Sequence, residues 1–226
     1  MFPLARLLVA VAVAAAAAVA GFAEAAAAPR SSELELAPAG YCAYADEPAE
    51  SLSAEIAGMS CLVNYARREA GLSALTSSAL LREAAMLRAH GDVRCDQFSH
   101  TPCGTAFTAT FLRSGYLRHA SEFVVGENLA YSSEKATPRS IMLQWLRSPD
   151  HRANILDPRF SQMGLILYRV HRFSGYSDVA LWVNDFGRRT GGCSPVPRLV
   201  IDTWVQTLSA TLTDRGSPQR LLQPAC

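Results

Sequence analysis

From Glu122 to Tyr131 the chain alternates with the two-residue period of a β-strand. Phe123, Val125, Glu127 and Leu129 share one face, and Val124, Gly126, Asn128 and Ala130 share the other. Glu127 therefore sets a carboxylate among apolar neighbours. Leaving an ion buried and unpaired costs several kcal/mol or more, so any fold built on this strand must deliver a partner to Glu127, either an arginine or a set of imidazoles.

The segments around the strand supply mixed helix and strand patterns. Ile56, Met59, Val63 and Ala66 recur at helical spacing, with Arg67, Arg68 and Glu69 expected to face outward and Gly71 to terminate the helix. The Thr76-Ser77-Ser78 group can cap a second helix whose Leu80, Ala84 and Leu87 share a face, expected to stop at Gly91 with His90 capping its end. Phe107 and Phe111 mark a short third helix ending at Gly115, and His119 beyond it reads as a solvated connector residue. Thr137 and Pro138 begin another helix on cap and first-position logic, with Ile141, Met142, Trp145 and Leu146 as its core stripe. Met163 to Val170 and Asp178 to Phe186 read as two further strands joined by a hairpin-like His171–Tyr176, with His171 inert at the tip.

Both ends carry their own signals. Arg6 precedes an apolar run from Leu7 to Ala20 and small residues at Ala25–Ala28, the pattern of a cleaved signal peptide spanning residues 1–28. Residues 29–52 are expected to form an extended leader tied down only at Cys42, followed by a domain over 53–190. Residues 191–226 form a C-terminal extension in which Ile201, Trp204, Val205, Leu208 and Leu212 define an amphipathic helix. The run behind Arg6 is short for a spanning helix, so no stable membrane span is expected after cleavage. The formal charge of +1, with a single lysine at Lys135 and scattered arginines, disfavours nucleic-acid binding.

Six cysteines in an exported chain read as three disulfides. Cys95 and Cys103 bracket the polar loop that carries His100, and closing so short a segment would restrain that histidine. Cys42–Cys61 and Cys193–Cys226 are the economical local pairings for the rest; a link between the ends, such as Cys42–Cys193, is the alternative.

The stretch Ser148-Pro149-Asp150-His151-Arg152-Ala153-Asn154-Ile155-Leu156 reads as the start of a short helix. Ser148 is placed as N-cap, Pro149 at the first position, and Asp150 at the positive end of the dipole. His151 falls in the first turn, where the dipole favours the neutral ring that binds a metal or accepts a proton. His100, Glu127 and His151 thus form a ligand-type set that could hold a divalent cation or carry acid–base work, provided the fold brings them together.

The wording around these residues is specific. A helix ending RREAGL, then FSH, GEN, a Trp-containing helix running into SPDHRANIL, and a strand ending WVNDFG together resemble the secreted CAP superfamily, over roughly Ile56 to Gly187 and most closely in its bacterial branch. The resemblance implies an α+β fold, a three-layer α–β–α sandwich of CAP/SCP type. It also implies a cleft lined by His100, Glu127 and His151, with Asn128 beside them. One departure weakens the metal set: Ser148 stands where eukaryotic members carry a second glutamate. Asp150 also replaces the usual glycine.

Three functional readings follow. The favoured one is a secreted, monomeric binding domain whose cleft takes a small hydrophobic ligand, a lipid being one candidate, with zinc or magnesium as the candidate cation on His100, Glu127 and His151. The second is a metal-assisted hydrolase with Glu127 as base. It is weakened because no serine lies in a G-x-S-x-G context and every cysteine is assigned to a disulfide. The third is a disulfide-braced domain that contacts a cell-envelope component.

Overall fold

A computed structural model describes residues 35–49, 51–133, 135–191 and 198–199. The expected signal peptide, the amphipathic tail helix and the Cys193–Cys226 pairing lie outside these residues.

Among the described residues, five strands and five α-helices form three layers. The helices are α1 (Leu52–Glu69), α2 (Ala79–Cys95), α3 (Ala109–Arg113), α4 (Pro138–Arg147) and α5 (Pro149–Ile155). The strands are β1 (Thr76–Ser77), β2 (Ala120–Ser133), β3 (Gln162–Phe173), β4 (Tyr176–Gly191) and β5 (Arg198–Leu199). The sheet runs β1-β3-β4-β2-β5, with the long central strands antiparallel and the two short edge strands parallel to their neighbours. The hairpin between β3 and β4 is tighter than expected. It turns on Ser174 and Gly175, both at positive φ, as the twist of a two-residue hairpin requires.

On one side of the sheet α1, α4 and α5 bury Met59, Leu62, Val63, Trp145 and Ile155 against Leu165, Leu167, Trp182 and Phe186. On the other side α2 and α3 pack Leu81, Ala84 and Phe111 in one cluster, and Ala85 and Ala89 against Leu129, Ile166 and Val183 in another. Because helices cover both faces, the alternation of β2 does not divide a wet face from a dry one. The run from Gly126 to Ala130 is buried without a break. The α+β sandwich is the expected one.

Several local expectations are corrected. Gly91 does not stop α2, because it lies on the covered face, where an added Cβ would stand 3.0 Å from Pro102. The helix therefore continues to Cys95, and His90 is an exposed mid-helix residue set edge-on to Tyr168 at 5.1 Å. The buried stripe of α2 is Leu81, Ala84, Ala85, Arg88, Ala89 and Asp92, one position out of phase with the expected Leu80 and Leu87. Arg67 points inward rather than out. Its guanidinium donates to the carbonyls of Ser73, Ile155, Asp157 and Phe160, tying the end of α1 to the loop after α5.

Ser148 caps α5 by position, but its hydroxyl makes no capping bond. Its backbone N–H is already donated to the end of α4, so one residue closes one helix and opens the next. The leader is held at more points than Cys42 alone. Buried Glu35 pairs with Arg152, Asp46 pairs with Arg139, and Arg139 also donates to the carbonyls of Ala37 and Pro38. The Cys42–Cys61 and Cys95–Cys103 disulfides are both formed, each with Cα atoms 5.7 Å apart.

Candidate functional site

Glu127 sits near the middle of β2, directly across from Asp185 on β4, which in turn lies across from Gly164 on β3. This row faces α2. The approach is close, since a Cβ on Gly164 would overlap the α2 backbone at Leu81 and Arg82. The absence of a side chain at Gly164 lets α2 lie against the sheet about two turns before Arg88, which then reaches Glu127.

Both oxygens of Glu127 are engaged. Arg88 donates from Nε to Oε2 at 2.8 Å, with both side chains 0% exposed. His100 Nδ1 lies 2.7 Å from Oε1. An ionised carboxylate only accepts, so the proton is on Nδ1 and the Nε2 of a neutral His100 carries its free lone pair. Burial by itself would raise the Glu127 pKa, but the charge of Arg88 and the contact with His100 hold it below the ordinary value. Arg88 also donates to the Phe107 carbonyl at 2.8 Å and lies over the Phe107 ring, so the segment before α3 helps to fix the guanidinium. The sequence demanded a partner for Glu127, and the fold supplies an arginine and an imidazole together.

Two further carboxyl groups share this buried region. Asp92, one turn after Arg88 on α2, is pushed up to about 8 by burial first and then by the charge of Glu127. Asp185 is raised well above its ordinary value by burial first, then by the charge of Glu127 and by the proximity of its carboxyl to that of Glu127, to which a protonated Asp185 can donate. One guanidinium cannot neutralise three carboxylates in a covered site. The charge therefore stays on Glu127, beside Arg88, and the two aspartates keep their protons.

The cross-linked loop sets His100. The Cys95–Cys103 bond closes the segment, and inside it Ser99 N–H donates to Asp92 Oδ1 at 3.4 Å while Cys103 N–H donates to Gln97 Oε1 at 2.8 Å. The imidazole is 24% exposed, so its outer edge meets solvent while its inner edge is held by Glu127.

His151 arrives from the opposite layer. Asn128, one residue along from Glu127 and so on the other face of β2, donates from Nδ2 to the His151 carbonyl at 2.9 Å. Asn154 donates to Asn128 Oδ1 at 3.0 Å and to the Glu127 carbonyl at 3.2 Å. These two amides fasten α5 to the strand. Asn128, expected beside the cleft, is 0% exposed and spent on this clamp. Burial and then the charge of His100 lower the His151 pKa, against a smaller opposing pull from Asp150, so His151 is held neutral close enough to feel His100.

The three expected site residues are thus drawn to one region, but not as an open ligand set. Glu127 is 0% exposed with each oxygen already accepting a hydrogen bond, and among the described residues no three His, Cys, Asp or Glu side chains are grouped so as to hold a metal ion. Glu127 does not fit as a direct ligand; the outer nitrogen of His100 and the ring of His151 are the donors that remain. Exposed aromatics adjoin the loop. Phe98 is 42% exposed and packs edge-on to Tyr131 at 4.8 Å, and Tyr131 lies 6.1 Å from Tyr176, which is 61% exposed.

Sequence reasoning missed Arg88, Asp92, Asn154 and Asp185. The first two carried a signal: they fall in phase with Leu81, Ala84 and Ala85, so two opposite charges one turn apart lie on an apolar stripe. Asn154 and Asp185 stood inside recognised motifs, but only the register shows what they touch.

The sequence matches the family model for cysteine-rich secretory proteins, designated CAP, over residues 62–184. Among solved structures, an outer surface protein of Borrelia burgdorferi superposes with a TM-score of 0.52 at 18% identity, covering 65% of this chain and 99% of that one. An extracellular SCP-domain protein of Bacillus anthracis gives a TM-score of 0.48 at 19% identity, covering 59% of this chain and 40% of that one. No curated protein matches the chain. Among the described residues no helix is long and apolar enough to cross a membrane.

Proposed function

Because the chain belongs to the CAP family of cysteine-rich secretory proteins, we propose that it acts outside the cytoplasm as a binding domain, which holds a small hydrophobic ligand beside two presented imidazoles. The observation that carries this reading is the state of Glu127: fully covered, ionised, with both oxygens spent on Arg88 and His100. A carboxylate so placed braces an imidazole. Covered from solvent and hydrogen-bonded at each oxygen, it is poorly placed to meet a substrate proton or a cation directly. The exposed aromatics Phe98 and Tyr176, with half-buried Tyr131 between them, give an apolar ligand somewhere to lie.

A divalent cation enters this reading as an accessory held by His100 and His151, with Glu127 behind His100 fixing its tautomer and orientation. Such a site prefers zinc to magnesium, because imidazole nitrogens suit zinc and magnesium favours oxygen ligands. With two protein ligands its affinity is lower than that of a three-ligand site.

A hydrolase is the competing reading, and one observation favours it. A histidine whose Nδ1–H is held by a buried carboxylate is the arrangement of a general base. The two hydroxyls nearest in sequence, on Ser99 and Thr101, bond instead to each other within the loop.

The test incubates the purified protein, with and without zinc, with peptide, ester and lipid substrates, and then extracts and weighs any retained lipid. Saturable lipid retention without turnover, weakened in Phe98→Ala, supports the binding domain. Turnover that is lost in Glu127→Gln, with the fold intact by circular dichroism, overturns it.

A further inference from the structure

Away from the His100–Glu127 region, a cavity of about 600 Å³ opens where the start of α2, the end of α3 and the end of β4 meet. Its lining includes Leu80, Ser114, Arg118, His119, Arg189 and Thr190. Thr190 pairs with Glu122 and lies five strand residues beyond Asp185, roughly 17 Å at about 3.3 Å per residue. This is a separate site.

Its charge is one-sided. Among the described residues no carboxylate pairs with Arg118 or Arg189. Arg188 and Arg189 also line an adjoining cavity of about 200 Å³, where Arg159 is bound to Asp157 and Glu122 is the carboxylate in the wall. The whole chain carries a formal charge of only +1, so this concentration of guanidinium groups is local and does not reflect a generally basic protein.

The arrangement is also braced. Arg189 Nη1 donates to the Tyr116 carbonyl at 2.5 Å, and the guanidinium lies 4.9 Å from the Tyr116 ring centroid. One edge of the fork is anchored and its other N–H groups are left for a ligand. The backbone of Arg118 is drawn in as well, its carbonyl accepting from Arg189 Nη1 at 3.5 Å. His119, next in the chain, takes a left-handed backbone at φ 59. For a non-glycine residue that backbone is strained, and the surrounding structure must hold it in place. His119 is exposed in the connection, as expected from sequence, and it also forms part of the wall of this cavity.

We propose that this cavity binds a small organic phosphate ester, its phosphate clamped between Arg118 and Arg189 and its carbon portion laid against Leu80. Two uncompensated guanidinium groups match the charge of about −1.5 to −2 that a monoester carries at neutral pH, and their planar forks fit its oxygens. The volume exceeds what a bare phosphate fills and falls in the range of small-molecule sites. Leu80, 36% exposed on a helix whose buried stripe faces elsewhere, supplies apolar contact for the remainder of the ligand.

Isothermal titration of the full chain with glycerol 3-phosphate tests this, with inorganic phosphate, malate and phosphatidylglycerol vesicles as the other probes. Saturable binding of glycerol 3-phosphate is expected. Arg118→Gln and Arg189→Gln should each weaken it about tenfold to a hundredfold, the loss of one charge-assisted contact. Arg172→Gln, at an exposed hairpin arginine, should leave it unchanged and controls for general charge. The Arg118 side chain makes no hydrogen bond within the described residues, so an unchanged melting temperature in Arg118→Gln separates lost binding from lost folding. No binding, equal loss in Arg172→Gln, or malate bound as tightly would each overturn the proposal. So would inorganic phosphate bound as tightly as the ester, or binding to vesicles alone.

Discussion

Asp92 offers a test of the buried charge arrangement that does not depend on any ligand. Its carboxyl is 0% exposed and lies one turn from Arg88, with burial and the charge of Glu127 holding its pKa near about 8. In the unfolded chain the same group titrates near the reference value of about 3.9. Between these values the native state holds a proton that the unfolded state has released, so the contribution of Asp92 to stability is fully present below about pH 4 and is lost as pH rises toward about 8. The slope is about 1.4 kcal/mol per pH unit. Asp92→Asn keeps an oxygen to accept from Ser99 N–H but cannot ionise, which removes this slope. The stability of the variant relative to wild type should therefore rise by about 4 kcal/mol from about pH 5 to about pH 8. That falls to about 2 where water reaching His100 screens the site. Asp185 acts in the same direction in both proteins and largely cancels in the difference. Urea unfolding at several pH values across this range measures it directly. Parallel stability curves for the two proteins would refute the claim that Asp92 is held protonated in the fold.

Removing the loop staple with Cys95→Ala and Cys103→Ala together should cost about 2–3 kcal/mol by the chain-entropy argument. Because the same bond restrains His100, hydrogen exchange at Gln97–Thr101 should accelerate beyond the global change; uniform acceleration would show that the disulfide does not position the histidine. Gly164→Ala forces a methyl into the α2 backbone at Leu81 and Arg82. An overpacking cost of about 1–3 kcal/mol, or more, is expected in thermal melts, and a wild-type melting temperature would mean that α2 does not lie on the sheet as described.

The parts of this protein legible in the sequence are those decided by local periodicity and capping. The strand through Glu127, the Thr137-Pro138 helix start and the Ile141, Met142, Trp145 and Leu146 stripe all appear as read, because each depends on neighbours within a turn or two. The Cys95–Cys103 and Cys42–Cys61 pairings were legible for the same reason, joining residues 8 and 19 positions apart. The need for a partner at Glu127 was also local, since a carboxylate on an apolar strand face states its own problem.

Which groups would answer that need was decided only by tertiary structure. Arg88 and His100 reach Glu127 from 39 and 27 residues away, through a helix laid over Gly164 and a loop closed by a disulfide. Asp185 joins them through strand register, and a one-residue slip would have turned it to the α5 side. Arg67 makes the same point: its charge predicts an outward face, but four carbonyls gathered around it from the turn after α1 and the segment between α5 and β3 outweigh the cost of burial. Local pattern sets which face of an element is apolar. The exceptions on that face, where this protein keeps its chemistry, depend on long-range partners that no window of sequence contains.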